Sequence, residues 1–242
     1  MNNIWMIVIV AISGYLIGSI SMSRIVTRIV SPETNLEDVE FSISEEERYQ
    51  LRTISATTAS LALGPKVGGI ITILDALKAV IPSLILRFLY PDQYYYLIAP
   101  VFAVIGHNWS IFFRFTGGGG MSVAYGAFFT IAFFGTLISA FSGMLLGFLV
   151  FKDMMIAFIS GPFLVLVWLI IFKGDWPHIL FGIAINAIII IKLIPDIIVG
   201  LKDYKENREK ISRIMDQTGM GRMMKKMIQL LGVDPEKEKK EG

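Results

Sequence analysis

The residues best suited to chemistry are a histidine, an arginine and four consecutive glycines that lie close together between apolar flanks. The stretch from Gly106 to Gly126 reads GHNWSIFFRFTGGGGMSVAYG, with the glycines at 117–120. Glycine costs a helix about 1 kcal/mol relative to alanine, so four in succession predict an open backbone. The next helix is predicted to begin at about Met121, which would direct its unpaired N–H groups and positive dipole end toward the glycines. This arrangement is typical of an anion site, and the alternative is a flexible hairpin.

The composition places this stretch in a membrane protein. Of the 242 residues, 54% are hydrophobic and 17% are charged, whereas about 25% of the residues are charged in soluble domains. The chain has no cysteine and two histidines, which excludes disulfides, thiol nucleophiles and histidine metal clusters. The glycine run lacks the lysine and hydroxyl residue of a nucleotide-binding P-loop. We therefore expect no metal and no cofactor.

Apolar runs predict an all-α membrane protein with a bundle of about seven transmembrane helices. The acidic segment 31–52 is predicted to be a solvated loop with a short helix near Ser44 to Leu51. Thr53 to Pro65 is expected to be a re-entrant or surface piece, because it is small and weakly apolar. A long apolar run is split at Gly135 because one helix would be too long. The predicted spans are Ile4 to Met22, Val67 to Leu89, Tyr94 to Phe113, Met121 to Phe134, Gly135 to Phe151, Asp153 to Phe172 and Trp176 to Gly200.

The basic residues predict how these spans are oriented in a cell membrane. Arg87 and Lys173 would be the only cations in outer loops, whereas most of the 22 lysines and arginines would lie inside. The N-terminus is therefore predicted outside, and the glycines and the C-terminus in the cytoplasm. The chain divides into a membrane domain, residues 1–201, and a charged cytoplasmic tail, residues 202–242, in which spaced methionines and leucines are compatible with an amphipathic helix.

Two charged residues fall inside the second predicted span. Asp75 and Lys78 are three positions apart and would share one helix face. Charges at this depth are costly and imply either mutual pairing or a polar cavity. A structural ion pair and a functional pair both fit this spacing.

Four blocks of the sequence resemble the bacterial acyl-phosphate:glycerol-3-phosphate acyltransferase family. Gly18 to Ile20 matches the start of a GSIP block, and Leu63 to Pro82 is similar to LGKKxGxxxxLLDxLKGxxP. Gly106 to Val123 resembles GHxFPxFLxFKGGKGVAT, and Tyr204 to Ile211 resembles HRENxxRL. The resemblance implies a seven-span membrane enzyme that transfers a fatty acyl group from acyl-phosphate to glycerol 3-phosphate, giving lysophosphatidic acid for phospholipid synthesis. The implied partners are these substrates, or a related phospho-alcohol, together with membrane lipids; no nucleic acid is expected.

The same resemblance implies which residues form the site. His107, Tyr204 and Asn207 are the candidate catalytic residues. The candidate arginines lie beside matched blocks, and a guanidinium group can hold phosphate through two hydrogen bonds. The candidate substrate-binding residues are Ser19, Arg24, Arg52, Thr57, Lys78, Arg114, Gly117, Gly118, Gly119, Gly120 and Lys205.

Several positions depart from the family pattern. The block GSGNIGATN falls on QLRTISATT at 50–58, which lacks the glycines, the serine and both asparagines. The two lysines of KGGKG are replaced by Thr116 and Gly119, and Tyr204 stands at the histidine position of the last block. An alternative function is therefore a catalytically degenerate relative that binds lipid or anionic headgroups or scaffolds a partner. A transporter is a third possibility, although the sequence shows no inverted repeat.

Overall fold

Helices make up most of the fold in the computed structural model, which describes residues 3–42, 48–50, 54–151 and 154–202. Two short 3-10 turns, at Leu36–Asp38 and Ile111–Phe113, and one π turn, at Leu146–Val150, join them. The helices are α1 (Ile4–Ser19), α2 (Met22–Val30), α3 (Ala56–Leu63), α4 (Pro65–Leu89), α5 (Tyr95–Asn108), α6 (Met121–Ile131), α7 (Phe133–Leu145), α8 (Met154–Phe172) and α9 (Trp176–Lys202), and a two-stranded antiparallel hairpin pairs β1 (Glu40–Ser42) with β2 (Arg48–Gln50).

The helices confirm an integral membrane protein of the all-α class. In the described part of the chain, five helical segments are long and apolar enough to cross a bilayer, and two shorter apolar helices, Met121–Ile131 and Ile156–Phe172, accompany them. At 1.5 Å per residue α6 is about 16 Å long, well short of a hydrocarbon core of about 30 Å. Seven complete crossings therefore remain a prediction.

Small residues bring α1 and α5 into close contact. A side chain added at Gly14 would overlap the carbonyl oxygen of Ala99, and one at Gly18 would overlap that of Ala103. Helices in lipid associate through such close van der Waals packing, because the hydrophobic effect contributes little to helix association there. The contact sets the carboxyl end of α1 beside the carboxyl end of α5, and this is where the polar residues gather.

The centre of the bundle is packed around α6. Phe128 is fully buried and meets Phe181 of α9 edge to face, with ring centroids 5.7 Å apart. The outward faces of the helices are apolar as well: Phe88 is 85% exposed and Phe134 is 72% exposed. Exposed aromatic side chains of this kind fit a lipid environment and would be a liability in water.

Two details of the predicted secondary structure are wrong. The helix break lies at Ala132, with φ −145° and ψ 70°, and not at Gly135. Gly135 is buried inside α7, where an added side chain would overlap the Trp168 ring, so this glycine serves close packing. The short helix expected near Ser44 to Leu51 is replaced at 48–50 by β2, which pairs with β1. The weakly apolar segment before Pro65 forms the eight-residue helix α3, too short to span a bilayer.

Candidate active site

A polar cleft lies at the end of the bundle where α1 and α5 end and α6 begins. The turn between α1 and α2 forms one wall, and the glycine loop forms the other. Ser21 caps α2 by accepting a hydrogen bond from the Arg24 N–H at 3.4 Å, which turns the chain sharply after α1. The residues that line the cleft are Gly18, Ser19, Ile20, Ser21, Arg24, Ile54, His107, Ser110, Phe113, Thr116, Gly117 and Gly118.

The backbone of the glycine loop is not helical, as predicted, and it packs closely against the end of α5. The Gly118 N–H donates to the His107 carbonyl oxygen at 3.1 Å. A side chain at Gly117 would overlap that same carbonyl, and one at Gly120 would overlap the side-chain amide oxygen of Asn108. Gly119 alone faces open space. Glycine is therefore required for close approach at 117 and 120, and at 119 a side chain would fit.

The amino terminus of α6 lies directly after the loop. Gly120 is its N-cap, with φ 77°, and no side chain caps the helix. A left-handed φ of this kind favours glycine. The N–H groups of the first turn of α6 therefore point toward the loop, and the helix dipole is positive there. The predicted start of this helix at Met121 agrees with the structure.

Arg24 is the cation of the cleft within the described residues. Its guanidinium group pairs with the Glu37 carboxylate at 2.8 Å and lies 4.4 Å from the centroid of the Phe113 ring. The Arg24 side chain is 30% exposed and that of Glu37 is 58% exposed. A solvent-exposed pair of this kind contributes about 0–1 kcal/mol, so a phosphate could displace the carboxylate.

The cleft is narrow as it stands. Its free volume is about 10 Å³, which is about the space that one water needs. Arg24 and Phe113 lie at this cleft and are held by contacts to each other. A phosphate ester can therefore enter only if this pair or the glycine loop moves outward.

Ser19 and Thr57 lie in different surroundings. Ser19 is 1% exposed and lines the cleft, and among the described residues its hydroxyl has no hydrogen-bond partner. Its carbonyl oxygen accepts a 2.7 Å hydrogen bond from the Ser110 hydroxyl. A buried unpaired hydroxyl costs about 1–3 kcal/mol, and a ligand oxygen would offset that cost. Thr57 is exposed on α3 and is not part of the cleft wall.

Asp75, Lys78 and His107 meet in the interior beside the cleft. Lys78 Nζ lies 2.8 Å from Asp75 Oδ1 and 2.9 Å from His107 Nδ1. It also donates to the backbone oxygens of Gly18 at 3.2 Å and Ile20 at 2.9 Å. Asp75 is 1% exposed and Lys78 is 4% exposed. The lysine was expected to contact substrate, but its ammonium group is occupied by internal acceptors, which favours a positioning role.

Arg114 stands apart from the cleft. It has a left-handed backbone, with φ 52°, followed by Phe115 at φ 60°. Its side chain is exposed, and Arg114 is absent from the cleft wall. Of the three candidate arginines, Arg24 reaches the cleft, Arg114 does not line it, and Arg52 lies outside the described residues. Tyr204, Lys205 and Asn207 also lie outside the described part of the chain.

The comparisons with known proteins agree on one family. The sequence model of the glycerol-3-phosphate acyltransferase family matches residues 8–202. The glycerol-3-phosphate acyltransferase of Pelagibacter ubique is 33% identical over 204 residues, which cover 84% of this chain and 97% of that protein. The chain belongs to the glycerol-3-phosphate acyltransferase family. The family predicted from the sequence blocks is confirmed.

Two further similarities concern a shorter match and the fold. The glycerol-3-phosphate acyltransferase of Pseudothermotoga lettingae is 38% identical over 78 residues, which cover 32% of this chain and 39% of that protein. The crystal structure of PlsY, an integral membrane glycerol 3-phosphate acyltransferase in its glycerol 3-phosphate form, superposes with a TM-score of 0.66. It is 25% identical, and the match covers 81% of this chain and 92% of PlsY. The lysophosphatidic acid form of PlsY gives a TM-score of 0.65.

An apolar groove of about 490 Å³ runs between α1 and α4 of this acyltransferase. Its wall includes Ile9, Val10 and Ile17 of α1 and Leu77 and Ile81 of α4. Lys78 also borders the groove, and Ile17 and Met22 in its wall flank the Gly18 to Ser21 turn of the polar cleft. The turn is therefore a common boundary of an apolar groove and a polar cleft.

The sequence reasoning missed several residues of this acyltransferase site. Glu37 pairs with Arg24, and Ser110 binds the Ser19 carbonyl. Asn108 is fully buried against the glycine loop, and its backbone oxygen accepts a 3.1 Å hydrogen bond from Lys192 of α9. A polar residue at the end of an apolar helix was the available signal for Asn108. No local pattern signals Lys192, because the partners are 84 residues apart.

Proposed function

We propose that the protein transfers a fatty acyl group from acyl-phosphate to the hydroxyl of glycerol 3-phosphate. The reaction forms the ester of lysophosphatidic acid and releases inorganic phosphate. One observation carries this proposal: a polar cleft with a cation and a helix amino terminus shares its boundary with an apolar groove. A reaction between an anionic alcohol and a long-chain acyl donor needs these two environments side by side.

Each part of the site has a role in this reaction. Arg24 and the amide groups at the start of α6 would hold phosphate through charge-assisted hydrogen bonds. The unpaired Ser19 hydroxyl would bond to a substrate oxygen, and His107 would donate to a phosphate or carbonyl oxygen. The groove would hold the acyl chain, because its wall is almost entirely apolar. Arg52, Tyr204, Lys205 and Asn207 stay candidates from the family blocks, as does Arg114, which lies outside the cleft wall.

The orientation of the protein is also part of the proposal. The cytoplasm would hold the cleft, the acidic segment and the tail of residues 202–242, and the N-terminus would lie outside. The distribution of the 22 lysines and arginines supports this orientation. Residues 1–201 would form the membrane domain in the cell membrane.

The test is an acyl-transfer assay on purified full-length protein with acyl-phosphate, acyl-CoA and acyl carrier protein as donors. We expect transfer from acyl-phosphate. Arg24→Ala should lower kcat/KM for glycerol 3-phosphate by about 10- to 100-fold, because a hydrogen bond to a charged group contributes about 1.5–3 kcal/mol. Arg28→Ala is the matched control, since Arg28 lies one turn further along α2 with an exposed side chain. Absence of transfer from all three donors, or equal losses in both variants, would contradict the proposal.

A degenerate relative that only binds anionic headgroups is the second candidate. It is favoured by the absence of a side chain at Gly119, where the family motif has a lysine and where the structure leaves open space. Binding of glycerol 3-phosphate by calorimetry, without turnover in the assay above, would support it. Restored growth of a strain that lacks its own acyltransferase would exclude it.

A further inference from the structure

The two imidazole nitrogens of His107 have different neighbours: Nδ1 contacts a buried residue, and Nε2 faces the glycine loop. Nδ1 lies 2.9 Å from Lys78 Nζ. On the other edge of the ring, a side chain added at Gly118 would overlap Nε2, so this nitrogen faces the glycine loop. No residue in the described part of the chain forms a hydrogen bond with Nε2. The two nitrogens therefore meet different environments.

The oxygen atoms around Lys78 favour an ammonium group, which can only donate hydrogen bonds. Besides His107 Nδ1, Nζ has three oxygen neighbours: Asp75 Oδ1 at 2.8 Å, the Ile20 carbonyl at 2.9 Å and the Gly18 carbonyl at 3.2 Å. The three hydrogens of an ammonium group match three acceptors, the Gly18 and Ile20 carbonyl oxygens and His107 Nδ1. Asp75 Oδ1 contacts the ammonium group as an ion pair without an aligned hydrogen bond. The Asp75 carboxylate balances its charge in the interior.

A donor at this position fixes the proton of His107. Since Lys78 donates to Nδ1, that nitrogen must carry a lone pair, and the proton of a neutral imidazole must then sit on Nε2. A second proton on Nδ1 would set two positive charges about 3 Å apart, which is strongly unfavourable away from water. Asp75 Oδ1 is 3.6 Å from Nδ1, too far for a direct hydrogen bond that would stabilise the other tautomer.

We propose that Lys78, held by Asp75, is a positioning residue that locks His107 as the neutral Nε2–H tautomer, so that His107 presents a fixed hydrogen-bond donor to an oxygen of the bound phosphate or acyl group. The identity of that oxygen rests on the proposed function; the tautomer does not. Lys78 reaches this position because the carbonyl groups of Gly18 and Ile20, at the end of α1, bind the same ammonium group. The Lys78 ammonium group thus fixes the position of the turn that contains Ser19 and the orientation of the His107 ring.

Nitrogen-15 NMR of the histidine-labelled full-length protein tests the tautomer without any substrate. The chain has two histidines, and His107→Gln assigns the signals by loss of one set. We expect a neutral ring in the wild type, with a protonated Nε2 and an unprotonated Nδ1 for His107. In Lys78→Met, the two His107 nitrogens should shift toward the average of a tautomer mixture. A proton on Nδ1, or an imidazolium, in the wild type would overturn the proposal, whatever the enzymatic activity.

Two substitutions of His107 separate a donor role from a packing role. The amide nitrogen of glutamine occupies about the position of Nε2, whereas that of asparagine occupies about the position of Nδ1. His107→Gln should keep kcat/KM within about tenfold of wild type, and His107→Asn should lose about 10²- to 10³-fold, the usual effect of removing one aligned donor. Equal losses in both variants would contradict the donor role. If the wild type transfers no acyl group but shows the Nε2–H tautomer, the proposed function fails and the positioning by Lys78 stands.

Discussion

A methyl group at Gly117 provides a sharp test of whether the shape of the glycine loop matters for binding. In Gly117→Ala the new carbon would overlap the His107 carbonyl oxygen, a backbone atom at the end of α5 that cannot swing aside. The loop would have to withdraw by more than 1 Å to restore an ordinary contact. Overpacking of this kind costs about 1–3 kcal/mol, and a misplacement of 1 Å can cost about 100-fold in rate.

The expected result is a loss of about 100-fold in kcat/KM for glycerol 3-phosphate, measured by release of inorganic phosphate from acyl-phosphate. The matched control is Gly119→Ala, because Gly119 belongs to the same run of glycines but faces open space. This variant should stay within about twofold of wild type, since no contact changes. Thermal unfolding of both variants in detergent separates a local shift from a general loss of structure. Equal losses at 117 and 119 would refute the reasoning, because loop flexibility rather than the contact with α5 would then decide activity.

Three further predictions concern charge in the cleft and the length of the groove. Glu37→Gln should lower the KM for glycerol 3-phosphate by up to about fivefold, because the competing ion pair is worth at most about 1 kcal/mol; Glu33→Gln, which does not touch Arg24, should change nothing. Gly119→Lys should tighten glycerol 3-phosphate binding in calorimetry by about tenfold, as one charge-assisted hydrogen bond would, and Gly119→Gln should not. Ile81→Trp should shorten the longest acyl chain accepted in a chain-length series, because Ile81 lines the groove. The control is Ile73→Trp, because Ile73 lies on the same helix, is 62% exposed and does not line the groove. This variant should accept the same acyl chains as the wild type.

The helices could be predicted from the sequence because their signal is local. Long apolar runs decide where a helix forms whatever its neighbours are. The helix α2, with its Ser21 cap, was not predicted, because it continues the first apolar run beyond Arg24. The helix break near Gly135 could not be placed in this way. Gly135 is a glycine because Trp168 packs against it from α8, and a contact between residues more than thirty positions apart leaves no periodic signal. The same holds for β2, because its antiparallel pairing with β1 joins residues up to ten positions apart, Glu40 and Gln50.

The same distinction between local signals and long-range contacts applies to the candidate site. The glycine loop, the start of α6 at Met121 and the presence of His107 near the loop follow from spacing within one short stretch. The partners of Lys78 do not: they belong to α1 and α5, at separations of 60 and 29 residues. The sequence predicted that Asp75 and Lys78 share a face, and left open whether they form a structural or a functional pair. The position of His107 beside Lys78 Nζ supports our proposal that this structural ion pair also has a functional role, which is to position the imidazole.

The charges around the cleft explain how a family member could bind phosphate without the lysines of the usual loop. In this chain the cleft receives its cation from Arg24 on α2, opposite the loop, while the loop side offers backbone amides and the Nε2 edge of His107. A phosphate between these walls would be held by one mobile cation and by donors that are fixed in place. Fixed donors cost no reorganisation when the ligand binds, whereas Arg24 must first leave Glu37. The geometry of Lys78 and His107 should therefore govern kcat, and the Arg24–Glu37 pair should govern KM.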